Sequence, residues 1–146
     1  MTIYFASDHA GFSLRQTLLA HVQAAGHDVV DLGPAAESSV DYPDFGVKLA
    51  TALQQDDAGY GIAICGSGIG ISMALNRFSW VRAALVSDPL AAALARQHND
   101  ANVLALGERL IEPDLAKQCV DHFLDTEFEG GRHQRRVAKL SQIGEK

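Results

Sequence analysis

Five short apolar runs, each followed by a stretch of helix length, set the narrowest limit on what this chain can fold into. Ile3–Ala6, Asp28–Leu32, Tyr60–Ile64, Arg82–Val86 and Asn102–Leu106 have the length and apolar character of buried strands. Between them, apolar residues recur at helical spacing. Leu14, Leu18, Val22 and Ala25 mark a helix over 12–25, with Gly26 as its stop. Phe45, Leu49, Ala52 and Leu53 mark a second, and the pattern predicts a third from Ile69 to Phe78. Ser87-Asp88-Pro89 starts a fourth, a capping residue followed by proline, which ends near His98-Asn99. Two more close the chain, one on Leu115, Cys119, Val120 and Phe123, the other on Val137, Leu140 and Ile143, with Gly130-Gly131 between them. Such alternation predicts an α/β fold, a mainly parallel sheet with helices on both faces. Ligands of such sheets bind beyond the carboxyl ends of the strands.

Length and composition narrow the classes. The chain has 146 residues, no internal repeat and no linker, which predicts a single domain over 1–146. No stretch has the apolar length of a membrane span, and the start lacks the pattern of a signal peptide. Its two cysteines, Cys65 and Cys119, lie in apolar surroundings, so the expectation is a reduced, cytoplasmic protein. A net charge of −6 argues against a nucleic-acid partner. Arg132, Arg135, Arg136 and Lys139, beside His133, depart from that acidic balance. They suit a small anionic ligand, although a basic cluster taken alone is more often a solvated helix face.

Three segments carry residues able to do chemistry: Ser7-Asp8-His9-Ala10-Gly11, Cys65-Gly66-Ser67-Gly68-Ile69-Gly70 and Arg96-Gln97-His98-Asn99-Asp100. An aspartate there can simply cap a helix, and a buried cysteine is usually inert. A crevice shared by acid, thiol and imidazole would change that reading. The glycine turn lacks the spacing of a dinucleotide fingerprint and the Lys-Ser/Thr ending of a P-loop, so no nucleotide is implied. Glycines at 66, 68 and 70 still let backbone amides approach a ligand where a helix begins, which suits a phosphate or a developing oxyanion. Cys65 immediately precedes that turn. An ordinary thiol is only about 3% thiolate at neutral pH; the helix start favours the thiolate and a dianionic substrate opposes it. No C-x-x-C motif supports a redox pair, no histidine spacing predicts a metal site, and no G-x-S-x-G elbow makes Ser67 a nucleophile.

The segments S-D-H-A-G-F, V-D-Y-P-D-F, C-G-S-G-I-G-I-S, R-Q-H-N-D-A-N-V-L-A-L-G-E-R and E-G-G-R-H-Q-R-R together resemble type B ribose-5-phosphate isomerase, over about Ile3 to Val137. The wider family includes galactose-6-phosphate and allose-6-phosphate isomerases. The resemblance implies a three-layer α/β/α Rossmann-like sandwich with a five-stranded parallel sheet, and no metal or organic cofactor. It makes Cys65 the base that moves a proton between C1 and C2. His98 opens the furanose ring, and Asp8 assists at the sugar oxygens. The amides of Gly66, Ser67, Gly68, Ile69 and Gly70, with the Ser67 hydroxyl, hold the enediolate. Asn99 contacts the sugar and Tyr42 lines the pocket. His9, Arg109, Arg132 and Arg136 face substrate, the arginines mainly at phosphate. Ser67 stands where many members have threonine, which keeps the hydroxyl.

The resemblance also implies a site shared across a homodimer, which can pair into a tetramer. The residues give a physical reason. The last helix, about 131–145, carries an apolar stripe that needs a surface to cover, and it begins with Arg132 and Arg136 on one face. The expected activity is interconversion of ribose 5-phosphate and ribulose 5-phosphate. A six-carbon sugar phosphate such as allose 6-phosphate is the alternative substrate. A non-catalytic ligand-binding module and a redox-sensing thiol protein are alternatives of other classes; retention of Cys65, His98 and the glycine turn weighs against the first.

Overall fold

The computed structural model describes residues 1–144. In chain order the elements are β1 (Thr2–Ser7), a 3-10 turn (His9–Gly11), α1 (Phe12–Ala24), β2 (Asp28–Asp31), α2 (Tyr42–Gln55), β3 (Tyr60–Cys65), α3 (Ile69–Leu75), β4 (Ala83–Leu85), α4 (Pro89–Asn99), β5 (Val103–Gly107), α5 (Pro113–Asp125) and α6 (Arg132–Gln142). The last expected helical residue, Glu145, lies outside the described residues. All strand pairs are parallel, in the order β2-β1-β3-β5-β4, as the α/β reading expects.

Strand alternation sorts the core into two layers. Ile62 and Ile64 of β3 point to one face, with Ile3, Phe5, Leu104 and Leu106, and meet Leu14 and Leu18 of α1, Ala92 of α4 and Phe123 of α5. Ala63 and Cys65 point to the other, with Ala6, Val103 and Ala105, and meet Leu49 of α2 and Ile71 and Leu75 of α3. The small strand residues on the second face let α2 and α3 sit close, and Cys65 belongs to that face. Each large aliphatic side chain fully buried in these layers, Leu49 for one, contributes about 1.5–3 kcal/mol.

Some boundaries differ from expectation. α3 stops at Leu75 instead of Phe78. Asn76 draws the chain out of the helix: its Oδ1 accepts from Ala83 N–H (2.8 Å) and its Nδ2 donates to Ala83 O (2.9 Å), an imitation of a neighbouring strand beside β4. Ala25 lies past the end of α1 and is exposed, and Ala52 is only half-buried while Ala50 is in the core.

Candidate active site

β1 connects to β2 on one side and β3 leads toward the other, so their carboxyl ends part and leave a crevice. Asp8 N–H reaches across to Ile64 O (3.2 Å) at its floor. The crevice encloses about 390 Å³ and is lined by eight of the predicted residues: Asp8, His9, Tyr42, Cys65, Gly66, Ser67, Gly70 and Arg109.

Cys65 ends β3 and is buried; its Sγ accepts the Gly68 N–H at 3.1 Å. That contact depends on a left-handed backbone at Gly68 (φ +78°), where a Cβ would come within 2.5 Å of the Leu85 side chain and 2.8 Å of the Leu106 carbonyl carbon. Strain and space together demand glycine. Ser67 Oγ accepts the Ile69 N–H (3.2 Å). Two of the five amides expected to face a ligand are thus engaged within the turn. α3 has only seven residues, so the individual amides matter here more than a helix dipole. Gly70 leaves room for Tyr42: a Cβ there would meet its ring at 2.6 Å.

The other walls are held by backbone. Glu108 N–H donates to Cys65 O and Arg109 N–H to Gly66 O, both at 3.0 Å, which brings the Arg109 guanidinium over the turn. Glu108 Oε1 in turn accepts Leu14 N–H (2.6 Å). Asp8 is buried, and its Oδ1 accepts Gly11 N–H at 3.1 Å. His9 Nδ1 is held against the Val40 backbone, 3.1 Å from its N and 3.2 Å from its O. Arg15, buried beneath, donates to Ser7 Oγ (2.6 Å) and to Pro34 O, with Asp31 Oδ1 3.1 Å from its Nε. That guanidinium ties β1, β2 and the loop into α2 together behind the site.

The remaining predicted residues do not join this crevice. His98, Asn99 and Arg136 line a separate pocket of about 430 Å³ with His133, Val137 and Leu140. Asp8, Cys65 and the His9 imidazole meet in the crevice, but the third expected segment, with His98, does not join them within one chain, for a topological reason. α4 leaves the carboxyl end of β4 and returns to the amino end of β5, so His98 in its last turn lies at the opposite edge of the sheet from Cys65. Arg132 opens α6 and is exposed; it lines neither pocket. Of the apolar stripe expected on the last helix, Leu140 is 48% exposed, and Ile143 lies just past the end of α6 in extended backbone and is 74% exposed.

The sequence pattern of the ribose/galactose isomerase family matches residues 3–140. The chain belongs to that family. Ribose-5-phosphate isomerase B of Escherichia coli (strain K12) is 44% identical over 141 residues, 97% of this chain and 95% of that protein. A solved Clostridium thermocellum ribose-5-phosphate isomerase B has 45% identity and a TM-score of 0.95, covering 98% of this chain and 97% of its own. The Mycoplasma genitalium ribose-5-phosphate isomerase B, solved with bound ribulose-5-phosphate, has 43% identity and a TM-score of 0.93, with 97% and 94% covered. By class, then, this member of the ribose/galactose isomerase family is an aldose–ketose isomerase. Among the described residues, no helix is long and apolar enough to cross a membrane.

Two residues beside His98 escape the sequence reading. Glu129 Oε1 lies 3.9 Å from His98 Nε2 and 3.8 Å from His133 Nε2, and the two imidazoles stack with centroids 4.4 Å apart and planes 15° from parallel. The three donor atoms fall within 4.8 Å of one another. The ring lone pairs run side by side in nearly parallel planes, however, so they do not converge on one ion. The only sequence signal was the Glu129–His133 spacing of four, which runs across the Gly130-Gly131 break and so does not read as a helix pair.

Proposed function

We propose that this chain works as a homodimer that interconverts ribose 5-phosphate and ribulose 5-phosphate through a cis-enediolate. Residues 1–146 act as a single isomerase domain, in the cytoplasm, with no metal or organic cofactor. The observation that carries the reading is Cys65: a thiol at a strand end, hydrogen-bonded by Gly68 N–H, in a crevice with a carboxylate, an imidazole and a guanidinium. The relative solved with ribulose-5-phosphate supports the choice of sugar.

The division of the predicted residues between two edges of the sheet supports the dimer. In a two-fold pair each copy presents its Cys65 crevice to its partner's His98 cluster, and two equal sites result. The exposed Leu140 and Ile143 then find cover, as do Ile69 (45% exposed) and Met73 (63% exposed) on α3.

The chemistry follows from the groups. The partner's His98 gives a proton to the ring oxygen as the C1–O bond breaks, and Asp8 takes the proton of the anomeric hydroxyl. The Cys65 thiolate then removes the C2 proton and returns it to C1, while a proton moves from O2 to O1. Negative charge on oxygen meets the pocket-lining amides of Gly66, Ser67 and Gly70 and the Ser67 hydroxyl. Asn99 of the partner subunit holds a sugar hydroxyl, and Tyr42 shields the enediolate from water. Arg109, His9 and the partner's Arg132 and Arg136 hold phosphate, a dianion that suits paired guanidiniums.

The test is an isomerase assay on purified protein with a panel of pentose and hexose phosphates, in the presence of EDTA. Ribose 5-phosphate is expected to give the highest kcat/KM, with no loss to chelator. A preference for allose 6-phosphate would replace the substrate and keep the chemistry. A complete loss that added metal reverses would overturn the amide-based account.

A further inference from the structure

Among the described residues, His133 is the one buried histidine, and the reaction proposed above gives it no role. It sits in the first turn of α6, where its N–H donates to Gly130 O (3.1 Å). Its ring lies flat on that of His98, from the last turn of α4. Glu129, between the two helices, presents one carboxylate oxygen to both rings, and its own N–H is tied to Gln97 O at 3.1 Å. The charged groups facing His133 are therefore His98 from α4, Glu129 from the connecting segment, and Arg132 and Arg136 from its own helix.

This arrangement disfavours charge on both rings at once. Two imidazolium rings 4.4 Å apart, beside two arginines, repel strongly, and a single carboxylate compensates only one of them. The His133 side chain is only 10% exposed, so a charge there is poorly hydrated. Burial pushes His133 below the ordinary histidine range; His98, Arg132 and Arg136 add to this and Glu129 opposes it.

We infer that His133 is the positioning residue of the ring-opening step: by stacking on His98 and sharing Glu129, it fixes the orientation of the ring that meets the sugar. This rests on the assignment of ring opening to His98. A proton passes from His98 to the ring oxygen as the C1–O bond breaks. The anomeric proton goes to Asp8 across the dimer; Asp8 then releases it to water, and the exposed edge of His98 takes one back from water, so both groups are reset. His133 touches no substrate atom in this step.

Ring opening can be read without isomerisation. In dimeric Cys65→Ala enzyme, magnetisation transfer between the α and β anomers of ribose 5-phosphate reports opening and closure alone. The single variant is expected to catalyse that exchange. Adding His133→Ala should slow it at least about ten-fold, within the range of acid–base assistance, and change ribose 5-phosphate affinity by less than about three-fold. His133→Phe keeps a flat ring on His98 and cannot take a proton, so it should restore most of the exchange. Exchange that survives His133→Ala would overturn the inference alone. So would equal loss in the Ala and Phe variants, or loss that tracks affinity. No exchange in the Cys65→Ala enzyme would sink both the ring-opening role of His98 and this inference.

Discussion

The two edges of the sheet solve different problems with different materials. At the carboxyl edge, the Cys65 crevice is built from backbone: Gly68 N–H on sulfur, Arg109 N–H on Gly66 O, the Val40 backbone on His9. At the amino edge, the cluster of His98, His133, Glu129 and Arg136 is built from side chains of α4, α6 and the segment leading into α6. Amides locked in a turn are already oriented toward a charge that exists only during reaction, so they suit an enediolate. Long charged side chains reach for a charge that is always present, which suits phosphate. The contrast teaches that the predicted residues fall into two clusters on opposite edges of the sheet, one held by backbone contacts and one by side chains.

The largest effect should come from the crevice. Cys65→Ala is expected to lower turnover by about 10²–10⁴, as removal of a proton-transferring group does. Affinity for ribose 5-phosphate should hold within a few-fold, and Tm should barely move, because only one sulfur is lost. Near-normal turnover would give the base to another residue.

Mixing tests the separation of the two edges directly. Cys65→Ala and His98→Asn proteins, each inactive on the cyclic sugar, should regain about a quarter of wild-type activity after subunit exchange: half the dimers are mixed, and one of their two sites is intact. Full activity in a sedimenting monomer would defeat the shared site. By the same logic His98→Asn should recover on 4-deoxyribose 5-phosphate, which lacks the hydroxyl that closes the ring.

A smaller loss is expected from Arg136→Ala. Phosphate binding should weaken by about 1.5–3 kcal/mol, the range for a hydrogen bond to a charged group, and an unphosphorylated ribose should be turned over as before. Equal losses on both sugars would place Arg136 outside the phosphate grip.

The smallest effect is a stability change with pH. The folded protein holds His133 below the ordinary histidine value of about 6.5, so just below that pH the unfolded chain binds more protons. The stability gained from a neutral His133 is intact above about pH 6.5 and is lost as pH falls through the folded value. Tm should therefore drop less on acidification in His133→Phe than in wild type. Parallel curves would contradict the burial of that ring.

Much of this protein was legible as a string of residues. The alternation of apolar runs and amphipathic stretches specified each strand and helix in order, because burial on a sheet face and on a helix stripe leaves periods that local sequence cannot hide. Eight of the predicted site residues meet in one crevice, because the turns that carry them follow strand ends, and all carboxyl ends of a parallel sheet point one way. What only the tertiary structure decided was distance across the molecule. Nothing local says that α4 carries His98 back to the other edge, that Asn76 stops α3 by bonding to Ala83, or that His133 lies on His98. Those facts depend on strand order and on contacts between residues far apart in sequence, so a pattern read along the chain cannot contain them. The physical consequence is a chain whose motifs are local and whose predicted site residues are divided between two edges of the sheet by its topology.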